Sequence, residues 1–394
     1  MSIIGHTAKT VPLTEGRYAL ANRLWQGVPS IQWTPGGALY AAWYSGGSEE
    51  PSLHNYAIVA RSDDGGLTWR ELFGLDGDAE ALTQVLDPQL WLSPDGALWL
   101  FWVQRDYHAA WLDPRHLDTW AMTCADPAAA EPRFGAPFHV CDGFLRNRPL
   151  VLPDGRWLLP AYRPSALERY AYYESPDGGR TFALRNAGRK VESDFDESML
   201  FTRRDGALVL WSRALLKFGH IAQTVSMDGG ATWSDGALTG IPSPQTRFFV
   251  QRLPSGRLLL VNNFDTQSRV NLRACLSEDD GATWPYQLPL DNRNEVSYPD
   301  MAMSPDGAMH IIHDRDRPGA KEILCSRLRE EDILAGGLTC PDSYQCNIVS
   351  KGPAVPALGE SFRQQARDAD LSFMRGSYWA GINRRACRER LFDT

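Results

Sequence analysis

The sequence predicts an all-β protein, a six-bladed β-propeller with four-stranded antiparallel blades. One observation is a phrase that recurs six times, two apolar stretches around a turn that ends in glycine. The turn glycines are Gly37, Gly96, Gly155, Gly206, Gly256 and Gly307, at steps of 59, 59, 51, 50 and 51 residues. The other observation is a box of the form Ser-x-Asp-x-Gly-x-Thr-aromatic that occurs four times.

Each recurring phrase is typical of a β-hairpin. In DPQLWLSPDGALWLFWV, for example, two short apolar strands flank a tight turn. The phrases therefore supply the first and second strands of each repeat.

The boxes predict the turn between the third and fourth strands, because an Asp in such a loop can bond to its own backbone. They start at Ser62, Ser175, Ser226 and Ser277, and the last three starts are 51 residues apart. Units of about 40 to 50 residues with four strands are propeller blades. We interpret these Asp-box turns as scaffold on the face opposite the starts of the first strands.

We expect residues 1–350 to form the propeller and residues 351–394 to form a C-terminal extension that packs on it. The segment EEDILAGG predicts a short helix that ends at glycine. The N-terminal stretch from Thr7 to Leu20 is expected to supply a strand that closes the last blade.

Composition excludes some classes of function. The chain has 40 basic and 48 acidic side chains, a net charge of −8, which argues against nucleic-acid binding by bulk electrostatics. No apolar run reaches the roughly 20 residues that would cross a membrane. The N-terminus lacks a secretory pattern, so we expect a cytoplasmic protein. Seven cysteines without metal-ligand spacing predict neither a metal nor a cofactor.

The starts of the first strands predict a polar ring around the central channel. Nine residues before each turn glycine, the positions hold Val28, Asp87, Arg146, Glu197, Arg247 and Tyr298. Five of these six are polar, whereas core positions would be apolar. They could pair with one another around a solvated channel, or they could form a site.

We favour a site, because the ring and its neighbours hold more arginine than a neutral channel needs. Arg213, Arg247 and Arg269 could bind a carboxylate, since guanidinium groups suit planar oxyanions. Glu197 beside Tyr298 would form a base and nucleophile pair, because a phenol attacks only if a carboxylate takes its proton.

The boxes and hairpins resemble the sialidase (neuraminidase) superfamily of six-bladed propellers, over roughly Trp25 to Leu328. The resemblance implies a Tyr nucleophile activated by a Glu, three arginines that hold a substrate carboxylate, and an Asp acid/base. Tyr298 in VSYPDM, Glu197 in DESMLF, Arg213 in WSR and Arg269 in SRVNLRACLS match four of these positions.

Two positions of the sialidase pattern are not filled. The first-blade motif reads Gly27-Val28-Pro29 and has no arginine. The segment for the acid/base Asp reads GGSEEPSLHNYAIV and contains no Asp; its nearest candidates are Glu49, Glu50 and His54.

Two compensations are hypotheses. Arg247 could replace the missing arginine from another direction, and His54 could serve as the general acid, since an imidazole titrates near neutral pH. His108 and His220 are weaker candidates for that acid. Asp87, Gln104 and Arg146 could contact sugar hydroxyls.

The favoured function is an exo-acting glycoside hydrolase that removes a terminal acidic sugar, sialic acid-like, a keto-sugar acid or a uronate, from a glycan. One alternative is a uronate-glycan lyase in which Tyr298 or His54 removes the proton beside the carboxylate. A second alternative is a non-catalytic carbohydrate-binding propeller. Such a binder would use aromatic platforms, for which the candidates are Trp25, Trp43, Trp102 and Tyr107.

Overall fold

A computed structural model describes residues 8–77, 83–106, 117–162, 168–365 and 367. These residues form six antiparallel sheets, each built from strands consecutive in the chain. The predicted six-bladed β-propeller is confirmed. Among the described residues, no helix has the length and apolar character that crossing a bilayer requires.

Every blade follows the predicted strand order, with the first strand innermost. The first three blades comprise β2 (Gln26–Trp33), β3 (Leu39–Ser45), β4 (Tyr56–Ser62) and β5 (Arg70–Asp76); β6 (Thr83–Leu92), β7 (Leu98–Asp106), β8 (Leu117–Cys124) and β9 (Phe138–Asp142); and β10 (Leu150–Val151), β11 (Trp157–Leu159), β12 (Arg169–Ser175) and β13 (Ala183–Arg189). The last three comprise β14 (Met199–Thr202), β15 (Leu208–Ser212), β16 (His220–Ser226) and β17 (Ala237–Pro242); β18 (Phe249–Arg252), β19 (Leu258–Asn263), β20 (Leu272–Ser277) and β21 (Tyr286–Asp291); and β22 (Val296–Met303), β23 (Met309–Arg315), β24 (Glu322–Leu328) and β25 (Tyr344–Lys351).

The N-terminal strand joins a different blade from the one expected. Strand β1 (Lys9–Val11) pairs with β5, so it extends the outer edge of the first blade. The sixth blade is completed by its own strand β25, which pairs with β24. The prediction that the N-terminus closes the last blade is therefore wrong, because a local strand already covers that edge.

The predicted short helix is present between β24 and β25 as α1 (Glu330–Ala335). It ends where Gly336 adopts a φ of 71°, a left-handed conformation that glycine takes without steric cost.

The ring closes through side-chain to main-chain hydrogen bonds between the sixth and first blades. The Val28 amide donates to Asp314 Oδ2 at 2.7 Å. On the outer side, the Tyr344 hydroxyl donates to the Gly65 carbonyl at 2.9 Å, and Asn347 Nδ2 donates to the Gly66 carbonyl at 2.8 Å. The two ends of the repeat are thus held together without exchange of a strand.

The core lies between neighbouring blades, whose facing side chains interdigitate. Between blades two and three, for example, Trp91 and Trp157 meet edge to face with ring centroids 4.7 Å apart. Burial of such faces holds one rigid ring, which fixes the inner strand ends relative to one another.

The four Asp boxes satisfy their own polar groups. In the fourth-blade box, Asp228 accepts from the Thr232 hydroxyl at 2.6 Å and from the Ser226 hydroxyl at 2.8 Å. These hydrogen bonds, that of Thr232 foremost, lower the pKa of Asp228 to about 2.

The chain beyond β25 contacts the N-terminal segment. The amides of Ala357 and Leu358 donate to the Ala21 carbonyl at 2.8 Å and to Asn22 Oδ1 at 2.9 Å. The boundary between propeller and extension at residue 350 stays a prediction.

Candidate active site

The inner strands begin with an unusual backbone conformation in four blades. Val28, Asp87, Glu197 and Tyr298 have φ values of 56°, 51°, 42° and 55°, in the left-handed region that non-glycine residues rarely adopt. At three of them, in β2, β6 and β22, the pairing with the next strand also shifts register. Bulges of this kind redirect side chains and are concentrated near functional sites.

Tyr298 and Glu197 meet across the channel, as the sequence predicted. The Tyr298 hydroxyl donates to Glu197 Oε1 at 2.6 Å and accepts from Arg213 Nη1 at 2.9 Å. Arg213 also forms an ion pair with Glu197 Oε2 at 2.9 Å. All three side chains are buried, so a low dielectric strengthens these contacts.

The charges around this pair decide where its proton lies. Burial by itself would raise the pKa of Glu197, but the positive charges of Arg213 and Arg146 and the Tyr298 hydrogen bond outweigh it and hold that pKa at about 2. Burial and the Glu197 charge raise the pKa of Tyr298. The resting site is therefore a phenol hydrogen-bonded to a carboxylate.

A cavity of about 190 Å³ opens beside the Tyr298 ring. Its walls hold four arginines, two acidic or phenolic groups and three apolar side chains. These residues are Arg146, Arg213, Arg269, Arg317, Glu50, Tyr298, Pro51, Leu86 and Phe195. The lining thus combines four cations with three apolar side chains.

Three of the four arginines, Arg146, Arg213 and Arg317, already form ion pairs with carboxylates. Besides Arg213, Arg146 binds Asp87 at 2.8 Å and Glu197 at 2.5 Å. Arg269 forms no ion pair with any carboxylate of the described residues, and its guanidinium carbon lies 5.2 Å from the centre of the Tyr298 ring. A cation that lines a cavity without a charge partner is suited to bind an anionic ligand.

Arg317 is the main residue of the site that sequence reasoning missed. It lies just after β23, forms ion pairs with Asp314 at 2.9 Å and Glu50 at 2.6 Å, and places its guanidinium carbon 4.2 Å from the Tyr298 ring centre. A Cβ at Gly27 would lie 2.7 Å from Arg317 Cδ. The sixth-blade arginine thus uses the space that glycine leaves in the first blade, at the motif that lacks its arginine.

Glu50, rather than His54, is the candidate acid that reaches the cavity. Glu50 accepts a hydrogen bond from the Tyr44 hydroxyl and pairs with Arg317. His54 lines a second cavity of about 280 Å³ together with Arg17 and Phe362. The structure therefore does not bring His54 together with Tyr298.

Arg247 does not line the cavity either. Its guanidinium is buried and donates to the carbonyls of Arg146 at 3.0 Å, Pro29 at 2.6 Å and Tyr298 at 3.1 Å. Burial lowers the pKa of Arg247. Its contacts tie together the strand starts of four blades, so Arg247 holds the inner strand starts in place and does not line the cavity as a clamp arginine would.

The remaining sequence candidates have structural partners. Asp87 holds Arg146, and Gln104, which is fully buried, accepts from the Ala8 amide at 3.1 Å. His220 contacts the Phe218 carbonyl at 2.8 Å. His108 lies outside the described residues.

The aromatic platforms suggested for a sugar-binding propeller are not available. Trp25, Trp43 and Trp102 are each 3% exposed or less, because they pack inside the blades. Tyr107 lies outside the described residues. That expectation was wrong for the three tryptophans.

Possible metal ligands occur away from this cavity. Ligand atoms lie within 4.8 Å of one another in two groups of described residues, Asp291 with His313 and Cys346, and Asp118 with His139 and Asp142. In the first group, Asp291 also forms an ion pair with Arg293 at 2.6 Å. The guanidinium thus already supplies the positive charge that a metal ion would bring to this carboxylate.

Known proteins share this architecture. Residues 37–311 match the BNR repeat-like domain family. A curated sialidase from Micromonospora viridifaciens is 26% identical over 327 residues, which cover 73% of this chain and 49% of the relative. The chain thus spans about half the length of that relative.

Solved structures show the same fold. The Hadza microbial sialidase Hz136 aligns with a TM-score of 0.63 at 18% identity, over 78% of this chain and 66% of that one. The leech intramolecular trans-sialidase, solved with 2,7-anhydro-Neu5Ac, aligns with a TM-score of 0.65 at 15% identity, over 84% and 71%.

The family match covers more than half of the chain and coincides with the six hairpins and four boxes. The chain therefore belongs to the BNR repeat-like domain family and is a member of the sialidase superfamily.

Proposed function

We propose that the protein is an exo-acting glycoside hydrolase that removes a terminal acidic sugar from a glycan, with Tyr298 as its nucleophile. The observation that carries the proposal is the 2.6 Å hydrogen bond from the Tyr298 hydroxyl to Glu197 at the wall of an arginine-lined cavity. A hydroxyl with an adjacent base, itself oriented by a third group, is the arrangement of an activated nucleophile.

The arginines would hold the carboxylate of the sugar. Arg269 provides a cation with no carboxylate partner in the described part of the chain, Arg213 bridges nucleophile and base, and Arg317 lies over the Tyr298 ring. An incoming carboxylate competes with Glu50 for the Arg317 guanidinium, since both are acceptors for the same donors. Substrate binding would thereby free Glu50.

In the first chemical step, the Tyr298 oxygen bonds to the anomeric carbon as the glycosidic bond breaks. The phenolic proton passes to Glu197, and Glu50, in its protonated form, gives its proton to the leaving oxygen. Because the pKa of Glu197 is low and that of Tyr298 is raised, the proton moves only as the new bond forms.

In the second step, water attacks the same carbon. Glu50 takes a proton from this water, and the released Tyr298 oxygen takes its proton back from Glu197. Two displacements at one carbon give overall retention of its configuration.

The site favours a lyase with Tyr298 as its base less than it favours a hydrolase. A lyase base must lose its proton before it can remove one from the substrate, whereas burial and Glu197 raise the pKa of Tyr298. A hydrolase requires no free phenolate, because the nucleophile is deprotonated during attack.

The proposal is tested with chromogenic glycosides of sialic acid, a keto-deoxy sugar acid and a uronate, together with uronate oligosaccharides. We expect release of the aglycone without the ultraviolet absorbance of an unsaturated product. Tyr298→Phe should reduce kcat/KM by at least about 10³-fold.

Tyr286→Phe is the matched control, because Tyr286 lies on the outermost strand of the fifth blade. It should retain full activity. An unsaturated product would assign the protein to the lyases, and full activity in Tyr298→Phe would refute the proposed nucleophile.

A further inference from the structure

The outer strand of blade four leaves a gap to the box loop of blade five, whereas the outer strand of blade six reaches the box loop of blade one. In blade six, Tyr344 and Asn347 on the outermost strand reach the box loop of the next blade. The outermost strand of blade four has instead Leu238, Thr239 and Gly240 facing the gap. These residues are too short to fill it.

The result is a cavity of about 950 Å³, five times the volume of the arginine-lined one. Its partly exposed aromatic walls are Trp284 and Phe264. Trp211, which is only 2% exposed, packs against Trp284 with the indole planes inclined by 59° and the ring centroids 6.2 Å apart. Gln223 and Gln287 contribute carboxamide groups. No catalytic candidate lines this cavity.

The box loop at this cavity differs from the others. Asp280, with a φ of 58°, stands where the other boxes have Gly65, Gly178 or Gly229. In two other boxes the tryptophan indole donates to a loop glycine carbonyl, Trp69 at 3.1 Å and Trp233 at 3.2 Å. The buried indole nitrogen of Trp284 has no partner among the described residues.

Most charges of the cavity are paired. Asp280 forms an ion pair with Arg252, Arg203 binds Asp205 at 2.5 Å, and Asp279 accepts from the Thr283 hydroxyl at 2.6 Å. The Arg204 guanidinium has no carboxylate partner among the described residues and donates to the Gly256 carbonyl at 2.7 Å. A charged ligand would have to break these pairs, whereas a neutral one would not. The surface therefore combines aromatic faces with carboxamides, and Arg204 is its one cation without a carboxylate partner among the described residues.

We propose that this cavity is a second, non-catalytic binding site for a neutral oligosaccharide. One face of a pyranose ring carries C–H groups, which pack on the electron-rich face of an aromatic ring. The hydroxyls around the ring edge are donors and acceptors for the carboxamides of Gln223 and Gln287. A site of this composition would anchor the protein on a glycan while the arginine-lined cavity acts on another part of that glycan.

The test uses Gly240→Trp. Gly240 is exposed, and a Cβ there would meet nothing within 4 Å, so an indole can fill the cavity without disturbing the core. Gly135→Trp is the matched control, since Gly135 is also exposed, a Cβ there meets only the Thr123 carbonyl at 3.6 Å, and the residue lies in the second blade. Trp284→Ala is a second variant that removes a wall.

Binding of maltohexaose, cellohexaose and lacto-N-tetraose is measured by saturation-transfer NMR and calorimetry. We expect at least one of them to bind the wild type with a Kd of about 0.1 to 1 mM. Gly240→Trp and Trp284→Ala should weaken that binding at least about tenfold, while Gly135→Trp and Arg317→Gln leave it unchanged.

Binding retained in Arg317→Gln, which removes a cation from the arginine-lined cavity, separates this site from that cavity, so the inference stands or falls independently of the proposed hydrolase. It is overturned if none of the three oligosaccharides binds at about 5 mM. It is equally overturned if Gly240→Trp, folded as judged by its Tm, binds as well as wild type.

Discussion

The propeller has a lower rim formed by the box turns and an upper rim formed by the starts of the inner strands. The lower rim repeats one structure, whereas the upper rim varies from blade to blade. At the lower rim, the four boxes repeat one set of hydrogen bonds, and the box Thr hydroxyl donates to the box Asp at 2.6, 2.7, 2.6 and 2.6 Å. At the upper rim, the equivalent strand starts carry Val28, Asp87, Arg146, Glu197, Arg247 and Tyr298, no two of which have the same surroundings.

The difference separates stability from chemistry. The shared Ser, Asp and Thr hydrogen bonds give the four boxes the same internal structure, so these three side chains define the fold and are not free for the reaction. The upper rim concentrates left-handed backbone and buried charge, which cost free energy that the rest of the ring must supply. Substitutions at the two rims should therefore have opposite effects on activity and stability.

After the loss of the Tyr298 hydroxyl, the largest effect is expected at Arg317. Arg317→Gln removes the cation over the Tyr298 ring, and kcat/KM on the acidic glycoside should fall about 10²- to 10³-fold, mainly through KM. Arg315→Gln is the control, because Arg315 pairs with Glu322 at 2.9 Å outside the cavity. Similar losses in the two variants would remove Arg317 from the site.

The pH dependence should depend on Asp87. Burial, partly offset by Arg146, raises the pKa of Asp87 to about 6. Below this pH the carboxyl is protonated and no longer holds Arg146, so kcat/KM should fall as the pH drops through about 6. Asp87→Asn should lack this acidic limb and, at pH 7.5, be about tenfold less active.

Stability should respond in the opposite direction. Because the folded-state pKa of Asp87 lies above its unfolded value, protonation favours the folded protein. The stabilisation is complete below about pH 4 and is lost as the pH rises through 6. Urea unfolding of wild type and Asp87→Asn between pH 4 and 8 measures it. A pH-independent difference would contradict the raised pKa.

A smaller effect is expected from a lower-rim box. Asp228→Ala deletes the hydrogen bonds from Ser226 and Thr232, and Tm should fall by about 2 to 4 °C while kcat/KM stays within twofold. Asp235→Ala, an exposed neighbour just after the box, should change neither. A loss of activity in Asp228→Ala would show that the rims are not independent.

The smallest effect concerns a turn glycine. Gly206 has a φ of 85° and open space around it, so Gly206→Ala should cost about 1 kcal/mol through backbone strain alone. Gly240→Ala, also in open space but outside the left-handed region, should be nearly neutral in urea unfolding. Equal costs would argue against strain as the cause.

The sequence predicted the features that repeat along the chain and the residues that match a position of the family pattern. Six turn glycines predicted six blades, and the pairing of Glu197 with Tyr298 followed from counting nine residues back from a glycine. The sequence could not predict Arg317, because that arginine lies beyond the counted positions. It reaches from the sixth blade into the space beside Gly27 of the first blade. Gly27 was the available signal, since a missing side chain leaves room for another.

The general acid illustrates a second limit. Glu49, Glu50 and His54 lie within six residues of one another, and their order in the chain does not say which side chain turns inward. The loop places Glu50 on the arginine-lined cavity and His54 on another. The path of an irregular loop depends on long-range contacts such as that of Arg17 with the His54 carbonyl, which local sequence does not reveal.

The most direct test of the account is the configuration of the first sugar product, followed by NMR on the glycoside that the protein hydrolyses best. A Tyr298 nucleophile predicts retention, together with a glycosyl adduct on the Tyr298 peptide when a fluorinated analogue of that sugar is used in mass spectrometry. Inversion of configuration, or an adduct on a different residue, would contradict it.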